Sequence, residues 1–470
     1  MVFASLSFLC LFLPLNLLLY YTLKKSLYRN LLLTTFSLLF YAMGEPVWVL
    51  LLVFSAAVDY GNAFLIERYR HTAFAKLGLW LSLLVNLGLL VAFKYSAFIY
   101  ENINLLLGTA WVAPTFTLPI GISFYTFQTI SYTVDVYRGE VAPQRSFLRF
   151  LMYVSLYPQL IAGPIVRYAH VAQEIDHRRL RIGDIHAGIH RFCIGLFKKV
   201  FIANIAAEWV LRYLEADFAN LAVGEAWFGL LMFSVQIYFD FSGYSDMAIG
   251  LGRMFGFRYQ ENFRYPYIAR SATEFWRRWH ISLGSFFRDY VYIPLGGNRK
   301  HGVRNLLIVW FLTGLWHGAS WNFVLWGLYF GLLIFLERAF LMRLLQKLPA
   351  AFSHFDLLGV AVLGWALFYF TDFTRLFAFL KILFGFGENP VWSFELGIAL
   401  RENVFWLLLT GLLCMPVYLL VARWYNRRLV KGGQKVYFWT LALLFQYLLL
   451  LVSLLLLVGN SYNPFIYYRF

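Results

Sequence analysis

Residues 306–336 read LLIVWFLTGLWHGASWNFVLWGLYFGLLIFL and decide the fold. The stretch contains no Lys, Arg, Asp or Glu, and its strongly polar side chains are Thr313, His317, Ser320 and Asn322. A spanning helix needs about 20 apolar residues. Comparable runs recur at 3–23, 31–58, 77–93, 115–135, 147–166, 192–213, 225–252, 357–371, 403–422 and 436–458. Across 470 residues the chain is 61% hydrophobic, 20% aromatic and 14% charged. An average globular domain has about 45–50% apolar and about 25% charged residues. A soluble surface must carry charge, so soluble enzymes, disordered scaffolds and fibrous proteins are excluded. The runs are continuous rather than alternating, which excludes an outer-membrane barrel. The expected fold is an all-α polytopic membrane protein with roughly 10–12 membrane helices, some short or re-entrant.

The net charge is +16, and its basic residues cluster between the apolar runs. Lys24, Lys25 and Arg29 follow the first run, and Arg178, Arg179, Arg181 and Arg191 sit mid-chain. Arg423, Arg427, Arg428, Lys431 and Lys435 precede the last. This is the pattern of cytosolic loops facing anionic lipid, and it argues for a bilayer rather than nucleic acid as the partner of the charge. No Lys or Arg precedes the first run, so it reads as a retained span with its amino-terminal side away from the cytosol. Cys10, Cys193 and Cys414 are far apart, and no CxxC suggests a disulfide framework or a thiolate metal site.

Gly44, Glu45 and Pro46 break the run at 31–58, giving two expected short helices of about 13 residues each. The longest polar stretch, 167–191, is too short for a soluble module, so residues 1–470 read as one membrane domain.

Polar side chains at hydrocarbon depth are costly, and three regions contain them. In the first, 237–252, Asp240 and Asp246 interrupt an apolar run; they read either as glue between helices or as substrate-lining groups. The second, TEFWRRWHISLGSFFRDYVYIPLGGNRK at 273–300, alternates cations with rings. Arg277 and Arg278 suit the interface or a phosphate-bearing ligand, and His280 is either a proton carrier or an interfacial ring. In the third, Arg304 and Asn305 mark the polar edge, and His317 falls about 16 Å beyond the start of the apolar run at Leu306 if the segment is helical, close to the bilayer midplane. Thr313, His317 and Ser320 would share one helical face, and Gly314 and Gly318 leave room beside it. Neutral imidazole suits proton abstraction near neutral pH. With these three regions, residues 235–330 form the candidate catalytic stretch.

His186 and His190 are spaced i,i+4, but no Glu follows His186 as HExxH requires, and no metal site is expected. No GxSxG elbow or GxxxxGK[ST] loop occurs. Glu45, Asp59, Lys94, Asp135, Glu337 and Asp372 read as boundary charges at helix ends.

The strings LPIGISFYTFQTISYTVDVYRG (118–139), PQLIAGPIVRY (158–168) and YFDFSGYSDMAIGLGRMFGF (238–257) occur in order. After them come FWRRWHISLGSFFRDYVYIPLGGNR (275–299), LTGLWHGASWNFVLWG (312–327) and YNPFIYYRF (462–470). In this set the chain resembles the membrane-bound O-acyltransferase family, in particular its bacterial polysaccharide O-acetylation branch. The resemblance implies a funnel-shaped helical bundle with His317 as the family's WHG histidine and His280 as its second histidine. It implies transfer of an acyl group from a thioester, such as acetyl-coenzyme A or a carrier-bound acyl, to a hydroxyl. It also implies a place in the bacterial inner membrane and a periplasmic SGNH-type partner that sets the group on an exported, alginate-type polysaccharide. On that reading His317 is the base, Asn322, Trp316 and His280 are candidate oxyanion donors, and Ser320, Asp240 and Asp246 line the substrate path. Arg277 and Arg278 would meet a coenzyme A phosphate. D-alanyl transfer to teichoic acid, acylation of a lipid or protein, and a proton-coupled transporter are the rival expectations.

Overall fold

The computed structural model describes residues 2–470 except 23, 162, 418, 422, 425, 426, 428–434, 460–465 and 467–470, and the side chains of 435–439. Arg428, Lys431, the side chain of Lys435 and the terminal string 462–470 apart from Ile466 therefore lie outside the described residues.

Among the described residues every regular element is a helix. Five are long and apolar enough to cross a bilayer: Val49–Arg68, Ala73–Leu107, Trp321–Leu345, Ala350–Tyr369 and Thr440–Gly459. A sixth crossing is available if Phe394–Glu402 and Val404–Leu413, bent by 66°, act as one broken span. The chain is thus an all-α, multi-pass membrane protein, with fewer full-length spans than apolar runs. Several runs are divided among shorter helices. The run at 147–166, for example, becomes Phe147–Ser155 and Tyr157–Leu160, split ahead of Pro158.

The break at Gly44–Pro46 is real, since Ser26–Ala42 ends before it. The second half of that run is not a short helix, because Val49–Arg68 continues for 20 residues through Asp59. Asp59 is fully buried and satisfied by other helices, so it is not a boundary charge. It accepts from Ser82 Oγ, from Asn86 Nδ2 at 2.8 Å and from Thr133 Oγ1 at 3.4 Å. A carboxylate with that many donors can stay inside a helix that would otherwise stop there.

The described chain forms two compact units. The first contains residues 1–192, 244–261 and 285–294. In it, Val49–Arg68 and Ala73–Leu90 form a hairpin against Ile122–Arg138, with the Asp59 cluster between them. A second nucleus joins the rings of Phe3, Phe8, Phe40 and Tyr157. The second unit contains residues 193–243, 262–284 and 295–470. Its centre is the hairpin of Gly302–His317 and Trp321–Leu336, with Ala350–Tyr369 and the short helix Ala272–Arg278 packed on the second arm. A Cβ on Gly314 would strike the carbonyl oxygen of Phe323, and one on Gly327 that of Trp310. The two backbones therefore touch, as small residues allow between membrane helices.

Candidate active site

The chain in WHGASWN reverses because the first arm of the hairpin ends at His317 and Gly318 is extended. Ser320 then lies in the turn, at the N-cap of Trp321–Leu336, and does not share a helical face with His317. Thr313 Oγ1 bonds back to Val309 O at 2.7 Å. The turn places His317 among aromatic rings, 5.0 Å from Trp326 and 5.3 Å from Phe368, both edge-on. The imidazole is 8% exposed and borders a cavity of about 20 Å³. Ile237, Phe241, Trp279, Trp326, Trp365, Phe368 and Ile466 complete the wall. That volume holds about one water-sized group. Within this wall, His317 is the titratable side chain, and it faces a small apolar chamber.

His280 occupies the break between Ala272–Arg278 and Ile281–Phe287, with a left-handed φ of 44°. That conformation is uncommon for a residue with a Cβ, and Asn262 holds it. The Asn262 carbonyl accepts from Ile281 N at 3.0 Å. Its side-chain Oδ1 accepts from Ser282 N at 3.1 Å and Ser282 Oγ at 2.9 Å, and lies 3.3 Å from His280 Nδ1. His280 is outside the candidate spans, and burial alone pushes its pKa down to about 3, so the ring is neutral. Trp316 lies against both imidazoles, 5.7 Å from His280 and 4.9 Å from His317.

The arginines of the RRWH segment separate. Arg278 is held by Glu274 at 2.7 Å and by the carbonyl of Arg264 at 3.1 Å. Arg277 is exposed and makes no ion pair among the described residues. Asp240 is fully buried and pairs with the equally buried Lys199 at 2.8 Å, while its other oxygen accepts the backbone N–H of Ile466 at 2.8 Å. Gly243, one turn on in the helix Val223–Met254, packs on Gly195 and Lys199, so this face of the helix serves contact between helices. Asp246, in the first unit, pairs with Arg191 at 2.6 Å, and Arg191 also grips Glu261 at 2.6 Å. The two aspartates thus answer to different cations, and neither borders the chamber. Asn322 is also away from the chamber wall: its amide reaches the carbonyls of Leu367 and Phe368 at 3.4 and 3.3 Å, tying the hairpin to Ala350–Tyr369.

Three residues escape a reading of the sequence alone. Asn262 carries no sequence signal beyond its place before an RRWH segment. Trp326 lines the chamber, is fully buried, and its indole N–H has no hydrogen-bond partner among the described residues. Glu337 reads as a boundary charge but is buried. Its carboxylate accepts from Ala272 N at 2.5 Å, Thr273 N at 2.9 Å and Thr273 Oγ1 at 2.6 Å. It therefore satisfies the first orphan donors of the RRWH helix. Asp135 likewise is no boundary charge: it is buried and accepts from Tyr290 at 2.8 Å. Asp372 does cap a helix end, accepting from Thr374 N at 2.8 Å. Among the described residues no three His, Cys, Asp or Glu side chains converge on a common point.

Fold and site together define a multi-pass helical membrane protein with an imidazole at a buried aromatic chamber. Residues 3–380 match the membrane-bound O-acyltransferase family model. The chain is 41% identical to the probable alginate O-acetylase AlgI of Azotobacter vinelandii, over 83% of this chain and 79% of that protein. It is 38% identical to the probable alginate O-acetylase AlgI of Pseudomonas putida over the full length of both. It is also 38% identical to the peptidoglycan O-acetyltransferase of Helicobacter pylori, over 71% of this chain and 69% of that one. The chain belongs to the membrane-bound O-acyltransferase family, and it is an acyltransferase.

Proposed function

We propose that this acyltransferase moves an acetyl group from a thioester donor on the cytosolic side, for O-acetylation of an exported alginate-type polysaccharide. The observation that carries the reading is the His317 imidazole on the wall of a small aromatic chamber. The hydroxyl oxygen attacks the thioester carbonyl carbon, a C–O bond forms and the C–S bond breaks. His317 accepts the hydroxyl proton and returns it to the departing thiolate. The small aromatic chamber favours a short acyl group over a long one. Trp326 is the oxyanion donor this geometry favours: its N–H is buried beside the chamber, whereas the Asn322 amide is committed to two carbonyls. His280 and Trp316 support the same wall.

Acetyl-coenzyme A or another acyl thioester serves as co-substrate, with no resident cofactor. Exposed Arg277 suits a donor phosphate, while Arg278 is already neutralised by Glu274. The chain sits in the inner membrane with the side preceding its first span away from the cytosol, as the charge bias requires. A periplasmic SGNH-type protein completes delivery to the sugar. The substrates for which the relatives are named, alginate and peptidoglycan, favour a polysaccharide acceptor. D-alanyl transfer is less well served, since none of the residues lining the chamber supplies a carboxylate for the ammonium group.

Replacement of His317 by Ala tests the reading. Acetylation of the exported polysaccharide should fall about 10²- to 10⁴-fold with undiminished membrane accumulation of the protein. Unchanged acetylation would reject the role.

A further inference from the structure

The chamber wall consists of six rings and two aliphatic side chains, Ile237 and Ile466. The rings brace one another. Trp326 lies 5.1 Å from Phe368 and 6.1 Å from Trp365, and Trp365 lies 4.9 Å from Trp279. Phe241 meets Phe263 at 5.1 Å and His280 at 4.6 Å, both edge-on. A ring held edge-on or stacked by a neighbour cannot yield without moving that neighbour. The isoleucines stand outside this lattice, so their bulk can change while the rings stay braced.

One helix places both of them. In Val223–Met254, Ile237, Asp240 and Phe241 are spaced i, i+3, i+4 and share a face. Ile237 and Phe241 reach the wall directly. Asp240 accepts the backbone N–H of Ile466 at 2.8 Å with one oxygen, while Lys199 holds the other at 2.8 Å. The carboxylate thereby fixes the backbone of Ile466 beside the chamber. Both isoleucines are buried. A β-branched side chain on a helix keeps essentially one χ1 rotamer, so Ile237 presents a rigid surface. The space between these walls, about 20 Å³, holds one water-sized group, which is the size of a methyl.

We propose, on the reading of this chamber as the acyl site, that Ile237 and Ile466 set the length of acyl group the protein accepts, with Asp240 positioning Ile466. The methyl end of an acetyl group lies against the two isoleucines while its carbonyl carbon faces His317. A propionyl or butyryl chain meets their branched carbons first. In an apolar pocket one methylene is discriminated about 10- to 200-fold. Length selection and chemistry are thereby assigned to different side chains. Removing wall bulk changes which thioester reacts; removing the imidazole changes whether any does.

The test uses the full chain in phosphatidylcholine nanodiscs with a short alginate oligosaccharide as acceptor. The donors are acetyl-, propionyl- and butyryl-pantetheine, the thioester portion that coenzyme A and a carrier-bound acyl share, and thiol release gives kcat/KM for each. The unmodified chain should favour acetyl over butyryl. Ile237→Ala and Ile466→Ala should each raise the butyryl-to-acetyl ratio about tenfold. Ile237→Val removes a single methyl and should raise the ratio by less, so it reads the wall even if Ile237→Ala fails to fold. The ratio does not depend on how much of the chain is folded. Asp240→Leu with Lys199→Met removes the acceptor for Ile466 without stranding a charge and should raise the ratio as Ile466→Ala does; an unchanged ratio there removes Asp240 from the proposal. Ile334→Ala, buried off the wall and further along the same helix than Trp326, should leave the ratio unchanged. No preference for acetyl in the unmodified chain, an unchanged ratio in the Ile237 variants, or an equal rise in Ile334→Ala overturns the length selection, while acetyl consumption that needs His317 leaves the acyl reading standing. Thiol release that is absent from the unmodified chain, or undiminished in His317→Ala, overturns that reading and the length selection with it.

Discussion

At the scale of single residues, the chamber assigns unequal duties to side chains that look alike in the sequence. His317 faces the chamber, whereas His280 is 1% exposed and held by Asn262. Trp326→Phe removes an N–H while keeping an aromatic wall. Turnover should fall about 10²-fold with little change in donor affinity, measured as a kcat change with KM nearly constant. His280 also makes stability depend on pH. Its folded pKa of about 3 lies below the unfolded value of about 6.5. The unfolded chain therefore takes up a proton first, so stability is full above about 6.5 and declines as pH falls from there toward 3. Thermal midpoints measured from pH 7 down to 5 should drop less in His280→Gln than in the parent chain. His317 is legible in the sequence because a histidine deep in an apolar run is rare. Asn262 is not, because an Asn in a polar loop is common and its importance comes from a fold that returns it to residues 280–282.

At the scale of elements, buried charges fix where helices begin and meet. Glu337 closes the N-terminus of Ala272–Arg278 across more than sixty residues of sequence. Glu337→Gln keeps one carbonyl oxygen for these donors but loses the charge. It should cost about 1–3 kcal/mol, read as a lowered thermal midpoint, and Glu337→Ala should cost more. The pair Lys199–Asp240 gives a sharper case. Asp240→Ala strands a buried ammonium and should destabilise by about 3–5 kcal/mol, whereas Asp240→Leu with Lys199→Met should recover most of that loss. Equal damage in single and double variants would show that the pair does more than neutralise itself. The apolar runs reveal where helices lie, since hydrophobicity is additive along the chain. They do not reveal which carboxylate ends a helix and which lies inside one, because that depends on donors from elsewhere. Asp59, Asp135 and Glu337 mislead a sequence reading for that reason alone.

At the scale of the molecule, class and family are legible throughout. Low charge and long apolar stretches exclude other classes, and the WHG and RRWH strings are specific enough to place the chain in its family. Roughly 10–12 expected membrane helices resolve into five or six that are both long and apolar enough to span, while several other runs form shorter helices and the run at 225–252 lies in the 32-residue but more polar helix Val223–Met254. Composition reports how apolar a stretch is but not where a turn, a proline or a bent joint divides it. The chamber is not legible at all: its wall draws on residues from 237 to 466, and only the fold brings them together. If the proposed orientation is right, a reporter fused before residue 3 should be reached by a protease added outside spheroplasts, and protection there would reverse the topology.

The Asp59 cluster carries a consequence for biosynthesis. Val49–Arg68 leaves the ribosome first, while its donors arrive later, Ser82 and Asn86 on the next helix and Thr133 more than seventy residues downstream. At the moment of its release that segment presents a lone acid to lipid, at a cost of about 2.5–3.5 kcal/mol at mid-helix. Nascent chains halted between the two arms of this hairpin should therefore be held in the insertion machinery, and those extended past Asn86 released from it.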